Sequence, residues 1–169
     1  MSDYQFISSR LGLRKACGDD APWIYTLNND PAWLRFIGNR GVHSISDAKK
    51  YIALSHEHFD RWGYGLWVVE RRHDRQPLGM CGLLNRGIFG CPDLGFAFLA
   101  ESRGKGYASE AALAVIKRAK SYYQFSYLSA IVHRHNTPSR QLLERLGYRH
   151  QGHLFMPNLT RQQLYWRTL

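Results

Sequence analysis

Arg103-Gly104-Lys105-Gly106-Tyr107-Ala108 is the stretch on which the reading of this chain turns, because it separates two segments of opposite character. Before it runs Asp93-Leu94-Gly95-Phe96-Ala97-Phe98-Leu99, apolar and aromatic, the composition of a buried strand. After it runs Ser109-Glu110-Ala111-Ala112-Leu113-Ala114-Val115-Ile116-Lys117, rich in strong helix formers. A strand that turns through two glycines into a helix aims several free backbone N–H groups at one point, and the helix N-terminus adds positive potential there. Arg103 and Lys105 add charge, so a phosphate or pyrophosphate is the natural guest. The spacing of a Walker A loop is absent, and Ser109 fills the third glycine position of a dinucleotide fingerprint. A turn that uses glycine only for its φ angles is the non-binding alternative.

Downstream, Tyr127-Leu128-Ser129-Ala130-Ile131-Val132-His133 reads as a strand. It leads into Asn136-Thr137-Pro138-Ser139-Arg140-Gln141-Leu142-Leu143-Glu144-Arg145-Leu146-Gly147-Tyr148, a short capped helix. Asn136 or Thr137 caps it, Pro138 suits its first turn and Gly147 stops it. The pattern Arg-x-x-Gly-x-Ala at Arg103, Gly106 and Ala108 resembles the acyl-CoA pyrophosphate loop of the GCN5-related N-acetyltransferases (GNAT). The run from Asn136 through Ser139 to Leu-Leu-Glu-Arg-Leu-Gly-Tyr resembles that family's second signature. Both stand in family order and at family spacing, which is far more specific than either alone.

The remaining sequence reads as one domain over 1–169. Leu11-Gly12-Leu13-Arg14 is an opening strand, and Asp19-Asp20-Ala21-Pro22 opens a helix. Pro31 breaks this helical region into two short pieces. A longer amphipathic helix follows Ser46-Asp47 and runs to Trp62. Leu66 to Arg71 and Leu78 to Leu84 are strands joined by a polar turn, and Gly152–Phe155 and Leu164–Thr168 close the chain as an antiparallel pair. The expected fold class is a mixed α/β sheet. The resemblance makes it a GNAT fold, with six to seven mostly antiparallel strands splayed at the acyl-CoA site and about four flanking helices. Within that family the lead Gly-Tyr-Gly-Leu-Trp-Val-Val at 63–69 and Leu-Gly-x-Cys-Gly-Leu at 78–83 resemble the RimJ/RimL-type, ribosomal-protein N-acetyltransferase branch.

Composition bounds the partners. Twenty-three Lys+Arg against 13 Asp+Glu give a net charge of +10, but no run of five basic residues occurs, so a nucleic-acid tail and DNA binding are not expected. No apolar run is long enough to span a bilayer, and the N-terminus lacks a signal-peptide layout. Cys17, Cys81 and Cys91 show no metal spacing, and the eight histidines are scattered, so no metal and a cytoplasmic location are expected. A monomer or a homodimer fits, and the surplus charge leaves ribosome association open.

The resemblance implies an N-acetyltransferase that uses acetyl-CoA and attacks it directly with a primary amine in a ternary complex. A protein N-terminal α-amine is the expected acceptor, with a small-molecule or antibiotic amine as the alternative. A non-catalytic acyl-CoA-binding or RNA-associated module is the rival from another class. It places the pantetheine arm against backbone at Phe98 and Leu99. It places the pyrophosphate on Arg103, Gly104, Lys105, Gly106, Tyr107 and Ala108, with Asn136 and Ser139 also at the cofactor. Ser139 is the expected proton donor to the departing sulfur, Tyr148 its competitor, and Asp93 the first candidate for the base. Asp93 is shorter than the glutamate more usual there. Trp33, Arg35, Tyr64 and Trp67, with Phe36, are the expected acceptor contacts, each also readable as core. Arg161-Gln162-Gln163 stand where relatives often carry an acidic residue. With +10 overall, that disfavours a strongly cationic acceptor such as a polyamine.

Overall fold

The structure, a computed structural model, describes residues 3–156 and 161–169. Its strands are β1 (Phe6–Ile7), β2 (Leu11–Arg14), β3 (Leu66–Arg71), β4 (Gln76–Leu84), β5 (Asp93–Phe98), β6 (Tyr127–His133), β7 (Arg149–Phe155) and β8 (Arg161–Thr168). Its helices are α1 (Ala21–Asn28), α2 (Pro31–Phe36), α3 (Ile45–Trp62), α4 (Tyr107–Ser121) and α5 (Thr137–Arg145). All strands join one 8-stranded sheet in the order β1-β2-β3-β4-β5-β6-β8-β7. It is antiparallel except between β5 and β6, which run parallel. The sheet exceeds the expected six to seven strands because β1 is only two residues long, too short to show an alternating pattern.

The sheet is covered on both faces. On one, the small residues Ala111, Ala112 and Ala119 of α4 let that helix settle closely onto Leu11, Leu13, Val69 and Leu83. On the other, Ala21 and Ile24 of α1 and Ala48 and Ile52 of α3 pack on Val68. Side-chain caps set the starts of α2 and α3, as one does for α5. Asp30 accepts from the N–H groups of Ala32 and Trp33 at 2.9 and 3.3 Å, which starts α2 behind Pro31. Ser44 accepts from Asp47 N–H at 3.1 Å, so α3 begins earlier than the Ser46-Asp47 start read from the sequence.

The feature that makes a site is the join between β5 and β6. Its one register pair is Asp93 with Ser129, where Ser129 N–H donates to the Pro92 carbonyl at 3.0 Å. β6 is instead paired along its whole length with β8, from Tyr127–Thr168 to His133–Gln162. Beyond Asp93 the two parallel strands part, and the sheet opens.

Candidate active site

The opening exposes one side of the β5 backbone. Leu99 N–H donates to the Leu78 carbonyl of the β4 edge at 2.9 Å. Strand backbone alternates its direction, so Phe96 and Phe98 turn their N–H groups the other way, toward the gap. This corrects the expectation for Leu99: its donor is spent within the sheet, and Phe96 joins Phe98 as the residue offering free backbone. Gly79, opposite Phe98, permits the close strand approach behind this edge, since a Cβ there would lie 2.3 Å from the Ala97 carbonyl oxygen.

Beyond Phe98 the chain makes a short 3-10 turn over Ala100–Ser102 and enters the glycine loop. Gly104 and Gly106 have φ of 73° and 78°, conformations that disfavour any side chain. Gly106 is the N-cap of α4, and no side chain caps that end. The first intrahelical bond is from Glu110 N–H to the Gly106 carbonyl at 3.1 Å. The N–H groups of Tyr107, Ala108 and Ser109 therefore precede the first rung of the helix and have no carbonyl within it to donate to. These open amides stand together at the start of a fifteen-residue helix.

Charge around the loop is arranged differently from the sequence reading. The Arg103 guanidinium donates through Nε to the Phe98 carbonyl at 3.0 Å and pairs with Asp30 at 2.8 Å. It thus ties the loop to the cap of α2, and Asp30 holds its carboxyl below the usual range although burial pushes it up, because Arg103 and the two cap donors outweigh that burial. Lys105 is exposed and outside the cavity lining. Glu110 receives Ser8 Oγ and the Arg10 N–H and Nε, each at 2.7 Å, which locks the first turn of α4 to the β1–β2 hairpin. Tyr107 lines the loop cavity beneath the Arg10 guanidinium, 4.6 Å from its ring centre.

Two cavities meet at the parted strands. One, about 440 Å³, runs from Arg103, Gly104, Gly106 and Ala108 to Phe98 and Ser139. The other, about 480 Å³, is bounded by the loop after α2, by β4 and by the inner face of β6. Trp33, Phe36, Phe96, Ala97, Asn136 and Ser139 line both. Asn136 caps α5 by accepting from Ser139 N–H at 3.3 Å, which leaves its Nδ2 without a protein partner among the described residues. Ser139 Oγ is likewise without one. The two residues of the second sequence signature therefore stand in the shared wall with donors to spare.

The other expected residues sort by this geometry. Trp33 lines both cavities with its indole N–H fixed on the Gly38 carbonyl at 3.1 Å. Arg35 lies over the Phe36 ring, 5.0 Å from its centre, and lines neither cavity. Tyr64 and Trp67 do not reach the site: both are buried in the core beneath α4, Trp67 donating to Gln5 Oε1 at 2.6 Å. An aromatic residue in a strand packs as well into a core as into a cavity, and the pattern alone does not separate the two. Tyr148 is 3% exposed in that same core, its hydroxyl has no hydrogen-bond partner among the described residues, and burial raises its pKa well above 10. It lines neither cavity.

Asp93, at 1% exposure, also lines neither. Its carboxylate accepts from Arg86 Nε at 2.8 Å and Ser129 Oγ at 3.1 Å. Burial pushes its pKa up, and the Arg86 charge opposes that rise without cancelling it. What Asp93 presents to the site is Arg86, whose side chain lines the larger cavity. Residues the sequence did not single out there are Arg40, Tyr51 and His133. His133 has a lowered pKa, from burial first and then from His135, Arg134 and Arg35, so it is neutral at pH 7. Its Nδ1 accepts from His135 N–H at 3.2 Å, which leaves the proton on Nε2. Among the described residues no group of His, Cys, Asp and Glu is arranged to hold a metal, and no helix is long and apolar enough to cross a membrane.

Comparison with known proteins places this architecture. Residues 10–149 match the acetyltransferase (GNAT) domain family. The chain is 27% identical over 150 residues to the N-acetyltransferase YoaA of Bacillus subtilis, covering 86% of this chain and 82% of that one. Its fold is similar to that of an acetyltransferase from Agrobacterium tumefaciens, with a TM-score of 0.82 and 21% identity over 96% of this chain and 92% of the other. It is also similar to RimL, the ribosomal L7/L12 alpha-N-protein acetyltransferase, in complex with coenzyme A. There the TM-score is 0.83 at 16% identity, over 98% of both chains.

Proposed function

The chain belongs to the GNAT acetyltransferase family, and on that premise we propose that it transfers the acetyl group of acetyl-CoA to a primary amine, best read as a protein N-terminal α-amine. The observation that carries the reading is the passage through the parted strands. A loop of unbonded amides opens at one end, free β5 backbone lies along the middle, and Ser139 stands where the two cavities meet.

The residues fit the cofactor. The two positive-φ glycines allow backbone to approach a pyrophosphate closely, and the amides of Tyr107, Ala108 and Ser109 supply donors on the axis of α4. Acetyl-CoA supplies the acetyl group as a thioester and leaves as a thiol. The Phe96 N–H and carbonyl and the Phe98 N–H orient the pantetheine arm by extending the sheet, the Phe98 carbonyl being held by Arg103, and a strand N–H faces the developing oxyanion. Asn136 Nδ2 adds a donor along the same path. Ser139 Oγ gives its proton to the departing sulfur as the C–S bond breaks and regains one from the attacking nitrogen as the amide forms. Trp33, Phe36 and Phe96 exclude water where the amine arrives, which disfavours its charged form there. Asp93 acts through Arg86 as a positioning residue rather than as a base at the amine.

The likeness to RimL supports the N-terminal acceptor and a link to the ribosome, and the three free cysteines support a cytoplasmic setting. The size of the acceptor cavity, in the range of small-molecule sites, favours a small amine as the second reading. Mixing the purified chain with acetyl-CoA and following thiol release tests both. Release with N-terminal peptides and not with simple amines supports the first reading, the reverse supports the second, and no release with either overturns acetyl transfer.

A further inference from the structure

The acceptor cavity is lined on one side by Trp33, Phe36, Leu66, Met80 and Phe96 and carries its charge in Arg40 and Arg86. No Asp or Glu lines it among the described residues, and residues 157–160, which follow its lining residue Met156, include no acid in the sequence. Arg86 is matched by Asp93. Arg40 has no carboxylate partner among the described residues. It sits in the loop after α2, which is held at both ends. Trp33 Nε1 donates to the Gly38 carbonyl at 3.1 Å, and Asn29 Nδ2 donates to the Val42 carbonyl at 2.9 Å.

Tyr51, from α3, lines the same cavity, and its hydroxyl has no hydrogen-bond partner among the described residues. Arg40 is near enough to act on that phenol electrostatically. Neither residue lines the cofactor cavity. A guanidinium with no carboxylate partner and a phenol O–H with no partner, lining one pocket that holds no acid among the described residues, make a receptor for a carboxylate. It repels a second positive charge.

We propose that the acceptor is a primary amine that also carries a carboxylate, which Arg40 and Tyr51 bind while the amine faces Ser139. This rests on the acetyl-transfer reading above and deepens it to a substrate class. Two sources present that chemistry: a free α-amino acid, and a polypeptide whose first residue is acidic.

The test is thiol release from acetyl-CoA by the full chain, with acceptors in matched pairs. L-Phenylalanine against its amide probes the free amino acid, a peptide beginning Asp-Ala against one beginning Asn-Ala probes the polypeptide, and spermidine probes a cation. The carboxylate member of one pair is expected to show a kcat/KM about 10-fold above its neutral twin, as a charge-assisted contact supplies. That ratio is expected to fall toward one in Arg40→Gln and in Tyr51→Phe, with acetyl-CoA affinity retained. The responding pair identifies the source. Neutral twins or spermidine reacting as fast as the carboxylates overturn the inference and leave acetyl transfer standing. No thiol release with any amine, although acetyl-CoA binds, overturns acetyl transfer and this inference with it.

Discussion

The two cavities that meet at Ser139 are made by different means. The cofactor side is made of backbone: two glycines with positive φ, the open amides of α4 and one strand edge. The acceptor side is made of side chains brought from α2, its following loop, α3, β4, β5 and β6. Backbone recognition tolerates change in most neighbouring side chains but fixes the glycines, and it suits a ligand common to a whole family. Side-chain recognition changes with every substitution, and it suits an acceptor that differs from member to member.

The sharpest way to break the comparison is at the shared wall. Ser139→Ala is expected to lower kcat by about 100-fold, the low end of what a positioned proton donor contributes. Acetyl-CoA affinity, read by calorimetry, is expected to stay within about twofold, because the hydroxyl acts on the departing sulfur rather than on the phosphates. An unchanged kcat removes Ser139 from the chemistry. On the backbone side, Gly106→Val places a β-branched residue at a φ of 78°. The expected result is about 10-fold weaker acetyl-CoA binding, from the roughly 1–2 kcal/mol that this conformation costs. Unchanged affinity means that the loop does not hold the phosphates.

Smaller effects sharpen the contrast. Glu110→Gln weakens the lock between the β1–β2 hairpin and the start of α4, with an expected loss of about 1 kcal/mol in urea unfolding. Burial pushes the Glu110 pKa up, but the Ser8 and Arg10 donors pull it below its usual 4.5. The carboxylate's contribution is therefore complete above that usual value and lost as pH falls through the lower folded one. The wild type should lose this increment on acidification and the variant should not. Tyr148→Phe removes a buried hydroxyl that has no partner. It is expected to leave kcat unchanged and to add up to about 1 kcal/mol of stability. A lowered kcat returns the tyrosine to the proton-donor role.

The legibility of the sequence follows the same division. β2, β3 and β6 have the ends that alternation and flanking turns predict, and the glycine loop and Asn136–Ser139 come together as their patterns imply. Glycine at positive φ and a capped helix start are local requirements, so a local pattern reveals them. Leu99 could not be separated from Phe98, because which side of a strand faces an open gap depends on its neighbour. Tyr64 and Trp67 misled for a related reason: they belong to a strand buried on both faces and the turn before it, and only tertiary packing says which aromatic residues reach a cavity. Arg40 and Tyr51 carried no signal at all, since one lies in an irregular loop and the other on a helix face that otherwise reads as core.

One carboxylate joins what the comparison divides. Asp30 starts α2, whose Trp33 and Phe36 wall both cavities, and the same oxygen holds Arg103 in the phosphate loop. For protein engineering this makes the two binding regions inseparable at a single position. A redesign of the acceptor pocket that moves the first turn of α2 also tugs on the cofactor loop, so transplanting the acceptor segment from a relative requires carrying the pair Asp30 and Arg103 along with it.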